Sequence, residues 1–113
     1  MPSGGPAFAA GISELLILRL LQDREMYGYE IVQAIRAATR GVFTPGEGAI
    51  YPLLHALEKD GALKSRRVPA GPRMRVYYAL TSRGVRRLFA LTDEWNRVNG
   101  AVGAVLQGGA YVV

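Results

Sequence analysis

The apolar positions of this chain fall into four helical patterns, with two short β-type runs between the third and the fourth. Ile12, Leu15, Leu16, Ile17, Leu18, Leu20 and Leu21 cover nearly the whole circumference of a helix expected from about Ser13 to Asp23, with Ser13 as its cap and Glu14 in its first turn. A helix apolar all round is covered on more than one side, and in a small protein the simplest second cover is another subunit. Gly28, Ile31, Val32 and Ile35 give the i, i+3, i+4, i+7 stripe of a second helix, about Tyr27 to Ala38, and Arg40 to Phe43 reads as a loop. The third helix carries a start signal in Thr44-Pro45-Gly46-Glu47. Thr44 is the expected cap, Pro45 the first helical residue, and Glu47 the side chain that reaches back. Ile50, Leu53, Leu54 and Leu57 form its buried stripe, and Gly61 is its stop.

Beyond Gly61 the pattern changes. Leu63 to Val68 and Arg73 to Tyr78 flank the turn Pro69-Ala70-Gly71-Pro72, which predicts a hairpin. Thr81 then caps a fourth and longest helix. Its Leu88, Leu91, Trp95, Val98, Val102 and Val105 recur at spacings of three and four, a heptad seam that needs a partner helix. Gly100 and Gly103 each weaken the far end by about 1 kcal/mol relative to alanine, so this helix gains its stability from packing. The predicted fold is mostly α with a small β-hairpin. A winged helix-turn-helix spans residues 12–80 and a C-terminal dimerisation helix residues 81–107, with flexible segments at 1–11 and 108–113.

Length and composition narrow the function. A chain of 113 residues, 50% hydrophobic, is one small domain, for which pairing with a second copy adds stability. There is no cysteine, hence no disulfide framework or thiolate chemistry. No apolar run reaches the roughly 18 residues of a membrane span, and no basic region precedes an apolar one as in a signal peptide. The net charge of +5 favours polyanionic partners. Eight of the 14 Lys/Arg residues lie between Gly61 and Thr92, where no Asp or Glu occurs.

That clustering points to DNA. Lys64, Arg66, Arg67, Arg73 and Arg75 on the hairpin can neutralise phosphates and release counterions. Gly46, Gly48, Ala49, Tyr51, Pro52 and His55 occupy the outward side of the third helix, where small residues admit close approach and the helix can enter a major groove. Arg83, Arg86 and Arg87 either flank DNA or solvate the start of the fourth helix. An RNA-binding role is disfavoured, because the exposed aromatic array of such modules is missing.

Catalysis finds no support. His55 is the single histidine, and no metal cluster, nucleophile–base pair or phosphate-cradling glycine loop is visible, so neither cofactor nor metal is expected. Asp93 and Glu94 are adjacent and point to different sides of their helix. Trp95, in the middle of the apolar seam, reads either as an anchor of a dimer core or as a stacking platform for a flat ligand.

MYGYEI (Met26–Ile31), GAIYPLLHALEKDG (Gly48–Gly61) and VYYALTSRG (Val76–Gly84) together resemble PadR-family transcriptional regulators, in order and at the family's spacing. The single helix after the wing is similar to the family's short subgroup. The resemblance implies a cytoplasmic, homodimeric repressor, joined through its first and last helices, that reads a palindromic double-stranded DNA operator. Tyr51 and the wing basics would contact DNA, and Tyr29 would touch its backbone. DEWNRVN (Asp93–Asn99) is further similar to multidrug-sensing members, in which paired tryptophans sandwich planar drugs. By that likeness Trp95 would stack on a planar aromatic or phenolic effector that enters the dimer interface and releases the DNA, Phe8, Ile12 and Leu15 would line the pore, and Asn99 stands where an acidic residue is found in those regulators. The alternative is a winged-helix module that binds protein or non-specific nucleic acid without responding to a ligand.

Overall fold

The computed structural model describes residues 6–108, with side-chain surroundings from residue 11 onward; Phe8 lies outside the described side chains. The elements are α1 (Pro6–Asp23), β1 (Met26–Tyr27), α2 (Gly28–Ala38), α3 (Glu47–Lys59), β2 (Leu63–Ala70), β3 (Arg73–Leu80) and α4 (Ser82–Leu106). Three helices, a three-stranded antiparallel sheet in the order β1-β3-β2 and a long final helix make the expected winged helix-turn-helix. No helix among the described residues is long and apolar enough to cross a membrane.

The stripes read from the sequence converge on one core. Ile17, Leu18 and Leu21 of α1, Ile31, Val32 and Ile35 of α2, Ile50, Leu54 and Leu57 of α3, Met26, Leu63 and Tyr78 of the sheet and Leu88 of α4 are all buried. α3 ends as predicted. Gly61 adopts φ 89, while Ala62 N–H donates to the Leu57 carbonyl at 2.9 Å and Gly61 N–H to that of Glu58 at 3.0 Å, which closes the helix and releases the chain into the wing.

Two helix starts differ from expectation. α1 begins at Pro6, and Ser13 lies buried inside it instead of capping it. Gly11 is a poor helix residue, but packing of α1 along α4 offsets a propensity cost of about 1 kcal/mol. α3 begins at Glu47, so Thr44 and Pro45 lie outside the helix and the capping box does not form. Gly46 is the cap residue, extended at φ −88 and ψ 178, and its carbonyl accepts from Ala49 and Ile50 N–H at 3.1 and 3.0 Å. Excluding Gly46 leaves Gly48 as the one glycine within α3 while still burying Ile50. The glutamate that does reach back is Glu30, whose Oε1 accepts from Tyr27 N–H at 3.1 Å at the start of α2.

The wing strands run further than expected. Ala70 pairs with Arg73, so the loop is only Gly71-Pro72, with Gly71 at φ 65. A positive-φ glycine followed by proline matches a type II′ turn, whose twist suits a tight hairpin. Pro69 is tolerated because β2 is an edge strand. β1, not foreseen, is a two-residue bridge pairing Met26 with Tyr78 and Tyr27 with Tyr77.

The base of the wing is clasped to α4. Thr81 N–H donates to the Ala62 carbonyl at 3.1 Å, Thr81 Oγ1 donates to the Gly61 carbonyl at 2.5 Å, and the same hydroxyl accepts from Gly84 N–H at 3.1 Å as the cap of α4. A methyl group at Gly84 would stand 2.1 Å from the Ala62 carbonyl oxygen, a contact no rotamer relieves. Gly84→Ala is therefore expected to destabilise the fold by at least ~2 kcal/mol, more than the ~1 kcal/mol expected for loss of the cap in Thr81→Ala. Chemical denaturation of the two variants measures the order directly.

Candidate nucleic-acid interface

The start of α2, the exposed side of α3 and the turn-side half of β3 enclose an open cleft of about 660 Å³. Tyr29, Tyr51, His55, Arg73 and Arg75 line it, which brings five of the expected DNA-binding residues together. Gly48, Ala49 and Pro52 lie exposed on α3 without lining the cleft. Lys64, Arg66 and Arg67 stand on β2, across the sheet from it. The cleft exists because β1 pairs with β3 only at Tyr77 and Tyr78, so residues 73–76 present a free strand edge to the helices.

Several cleft residues are not evident from the sequence. Tyr27 and Tyr78 come from the sheet that only the tertiary fold assembles. Glu47 faces the cleft instead of closing a capping box; its spacing of i, i+4, i+8 with Tyr51 and His55 is the available signal. Tyr51 is seated firmly. A methyl group at Gly28 would fall 2.1 Å from Tyr51 Cε1, so the ring rests directly on the backbone at the start of α2. Burial of the phenol, followed by the negative charge of Glu47 one turn earlier, raises its pKa and keeps it a neutral donor.

A second cavity of about 350 Å³ lies between α1 and α4, lined by Gly11, Ile12, Leu15, Leu91, Glu94, Trp95 and Val98. The structure thus brings Ile12, Leu15 and Trp95 together, while Asn99 does not line the cavity. The carboxylate there is Glu94, which sequence pattern alone does not distinguish from an ordinary surface acid. Further along α4, Trp95, Val98, Val102 and Val105 remain 42%, 44%, 50% and 57% exposed, whereas Leu88 is buried and Leu91 partly so. Leu16 is half-buried on α1.

The sequence pattern of the PadR-like transcriptional regulators matches residues 17–93, from the core of α1 through the wing and into α4. The chain belongs to the PadR-like family of transcriptional regulators. It is 30% identical over 103 residues to the transcriptional regulator YqjI of Escherichia coli, covering 91% of this chain but only 48% of YqjI. It superimposes on a PadR-family regulator of Eggerthella lenta with a TM-score of 0.77 at 30% identity, covering 88% of this chain and 86% of that one. It also matches Bacillus subtilis PadR, a structure in complex with operator DNA, with a TM-score of 0.64 at 27% identity over 68% of this chain and 44% of the other.

In this PadR-family chain the wing cations divide by face. Strand pairing puts Leu63, Ser65, Arg67 and Pro69 on the core-side face with Leu80, Tyr78, Val76 and Met74. Lys64, Arg66, Arg73 and Arg75 share the outer face with Tyr77 and, through β1, Tyr27. There the Arg75 guanidinium lies 4.4 Å from the Tyr27 ring centre and that of Arg66 5.5 Å from the Tyr77 ring centre, while the two rings meet edge to face at 5.4 Å. Arg66 also forks onto Glu25, with Nε 3.1 Å from both carboxylate oxygens. Among the described residues, Lys64, Arg67, Arg73 and Arg75 make no ion pair, so only Arg66 of the wing set is held by an internal carboxylate.

The Arg66 hydrogen bonds, and then its charge, hold the Glu25 carboxyl below its ordinary value of 4.5. A carboxylate with a depressed folded-state pKa contributes stability that is complete above its unfolded value and vanishes as pH falls through the folded one. The stability difference between the parent and Glu25→Gln should accordingly be constant above about pH 4.5 and shrink steadily below it. Denaturant titrations from neutral to acidic pH follow this difference.

Proposed function

We propose that this PadR-family chain is a homodimeric, cytoplasmic repressor that grips a pseudo-palindromic DNA operator with two copies of the cleft. The observation that carries the reading is the convergence in one open cleft of the polar row of α3 with two unpaired wing arginines. In helix-turn-helix proteins the second helix of the motif reads base edges in the major groove, while surrounding cations and helix starts hold phosphates. Here α3 is that helix, Gly48, Ala49 and Pro52 let its start approach closely, and Arg73 and Arg75 supply the grip of the wing. Lys64 and Arg67 extend the field, and Arg66 is pre-oriented by Glu25. Tyr29, half exposed at the start of α2, is placed to donate to the DNA backbone.

Dimerisation is supported by the apolar seam of α4. A radius of gyration of 16.3 Å exceeds the roughly 13 Å of a compact chain of this length. Trp95, Val98, Val102 and Val105 form an apolar strip that water covers in the single chain and that a second α1–α4 pair would bury. In that arrangement the two α1–α4 cavities sit at the dimer interface. Each offers Trp95 as a stacking surface, aliphatic walls from Ile12 and Leu15 and the Glu94 carboxylate, which together suit a planar aromatic effector bearing a positive charge. Such a ligand releases DNA only by binding the released geometry more tightly than the bound one.

Selection of bound sequences from random double-stranded DNA, followed by footprinting, tests the main claim: one symmetric site should be protected, and uniform coverage would favour a non-specific module. On the selected site, replacing Arg73 and Arg75 by alanine should flatten the dependence of log affinity on log salt by about 0.9 for each phosphate that is no longer neutralised. Anisotropy titrations over a salt series provide the slope. For the cavity, calorimetry with a panel of flat cationic dyes should detect binding to the parent and about tenfold weaker binding to Trp95→Ala, the worth of one aromatic stacking interaction. Equal affinity for the two proteins would place the ligand elsewhere.

A further inference from the structure

We infer that Glu47 is a specificity-determining residue that selects cytosine at one position of each operator half-site. The inference deepens the DNA-binding reading above and rests on it. On the cleft side of α3 the side chains able to read a base edge are Glu47, Tyr51 and His55, one row at i, i+4 and i+8. The neighbouring Gly48, Ala49 and Pro52 have no side-chain hydrogen-bonding group, so they admit DNA without reading it. The Tyr51 ring is packed against the Gly28 backbone, so contact with DNA through another rotamer would cost it that packing. Glu47 is exposed in the first turn of α3, the part of a recognition helix that reaches base edges.

Its charge then decides the partner. Most acids in this chain are engaged: Glu14, Asp23, Glu25, Glu30 and Asp60 all have arginine partners. Glu47 has none among the described residues, although Arg73 and Arg75 line the same cleft. A carboxylate only accepts hydrogen bonds, and it is repelled by every phosphate that the surrounding cations attract. Apart from the neighbouring Tyr51 phenol, the productive partner that a duplex offers it is an exocyclic amino group in the major groove. Adenine sets an acceptor nitrogen beside its amino group on the same edge, which repels a carboxylate, whereas the cytosine amino group carries no such neighbour on its own base. Glutamate therefore favours cytosine, while the amide of a glutamine, donor and acceptor together, matches adenine.

The test uses the full chain in parallel selections from random double-stranded DNA with the parent, Glu47→Gln and Glu47→Ala. The parent should enrich a symmetric site with cytosine favoured at one position per half-site by about fivefold or more. Glu47→Gln should move that position toward adenine and Glu47→Ala should level it, with every other position unchanged. Both variants should also bind random DNA more tightly, because a repulsive charge is gone. Identical base preferences in all three proteins would overturn the assignment while leaving the operator reading standing. Failure of the parent to enrich any symmetric site would overturn the operator reading and this assignment with it. Matching thermal unfolding of the three proteins confirms that the comparison is between folded chains.

Discussion

The close crossing of Gly84 over Ala62 is the constraint from which the working parts of this molecule take their directions. At this point the end of α3, both roots of the wing and the first turn of α4 meet within hydrogen-bonding distance. Thr81 serves three backbone groups at once, two through its hydroxyl and one through its amide. Only a residue without a side chain lets α4 start against that carbonyl. Because α3 has just ended in a tight Gly61 turn, the angle at which the wing leaves is set by the same few atoms that aim α4. α3 and the wing thus hold a fixed relation to the helix that carries the exposed seam.

Arginines reinforce that junction from outside. Asp60, at the end of α3, lies 3.4 Å from Arg83 and 3.8 Å from Arg87, and Arg87 also donates to Glu14 of α1. Exposed ion pairs contribute little stability individually. Their position matters more, since Arg87 of α4 ties the end of α3 to α1, and α1 and α4 wall the Trp95 cavity. The Arg87 guanidinium thus joins three elements, α1, α3 and α4, at one point. Arg83 and Arg87, for which the sequence allows either DNA binding or surface solvation, therefore face acids of the same chain.

Electrostatics divides labour within the wing. Tyr27 and Tyr77 form a platform beneath Arg75 and Arg66, and Glu25 holds Arg66 in a fork, so these long side chains lose part of their rotamer freedom within the fold itself. Arg73, Lys64 and Arg67 are without ion-pair partners among the described residues and remain available to neutralise charge. Within the cleft itself Glu47 stands as a single negative charge beside Arg73 and Arg75, the contrast on which the proposed base preference rests.

Hydrophobic periodicity and turn chemistry determined the architecture without the structure. The stripes Ile31-Val32-Ile35 and Ile50-Leu54-Leu57, the stop at Gly61, the hairpin around Pro69-Ala70-Gly71-Pro72 and the Thr81 cap are local signals, and local physics is enough to read them. The basic run from Lys64 to Arg75 and the aromatic Tyr51 were likewise visible in the sequence as candidate DNA contacts, and the fold brings Tyr51, Arg73 and Arg75 to one cleft. Tertiary structure alone decided where α1 and α3 begin, because burial of Ser13 and exclusion of Gly46 depend on what packs beside them. It also decided which cations are free, since Glu25 and Arg66 lie 41 residues apart in the chain. The same holds for the cleft and for the cavity beside Trp95: each is an empty volume between distant segments, and pattern along a chain specifies faces but not the space enclosed between them.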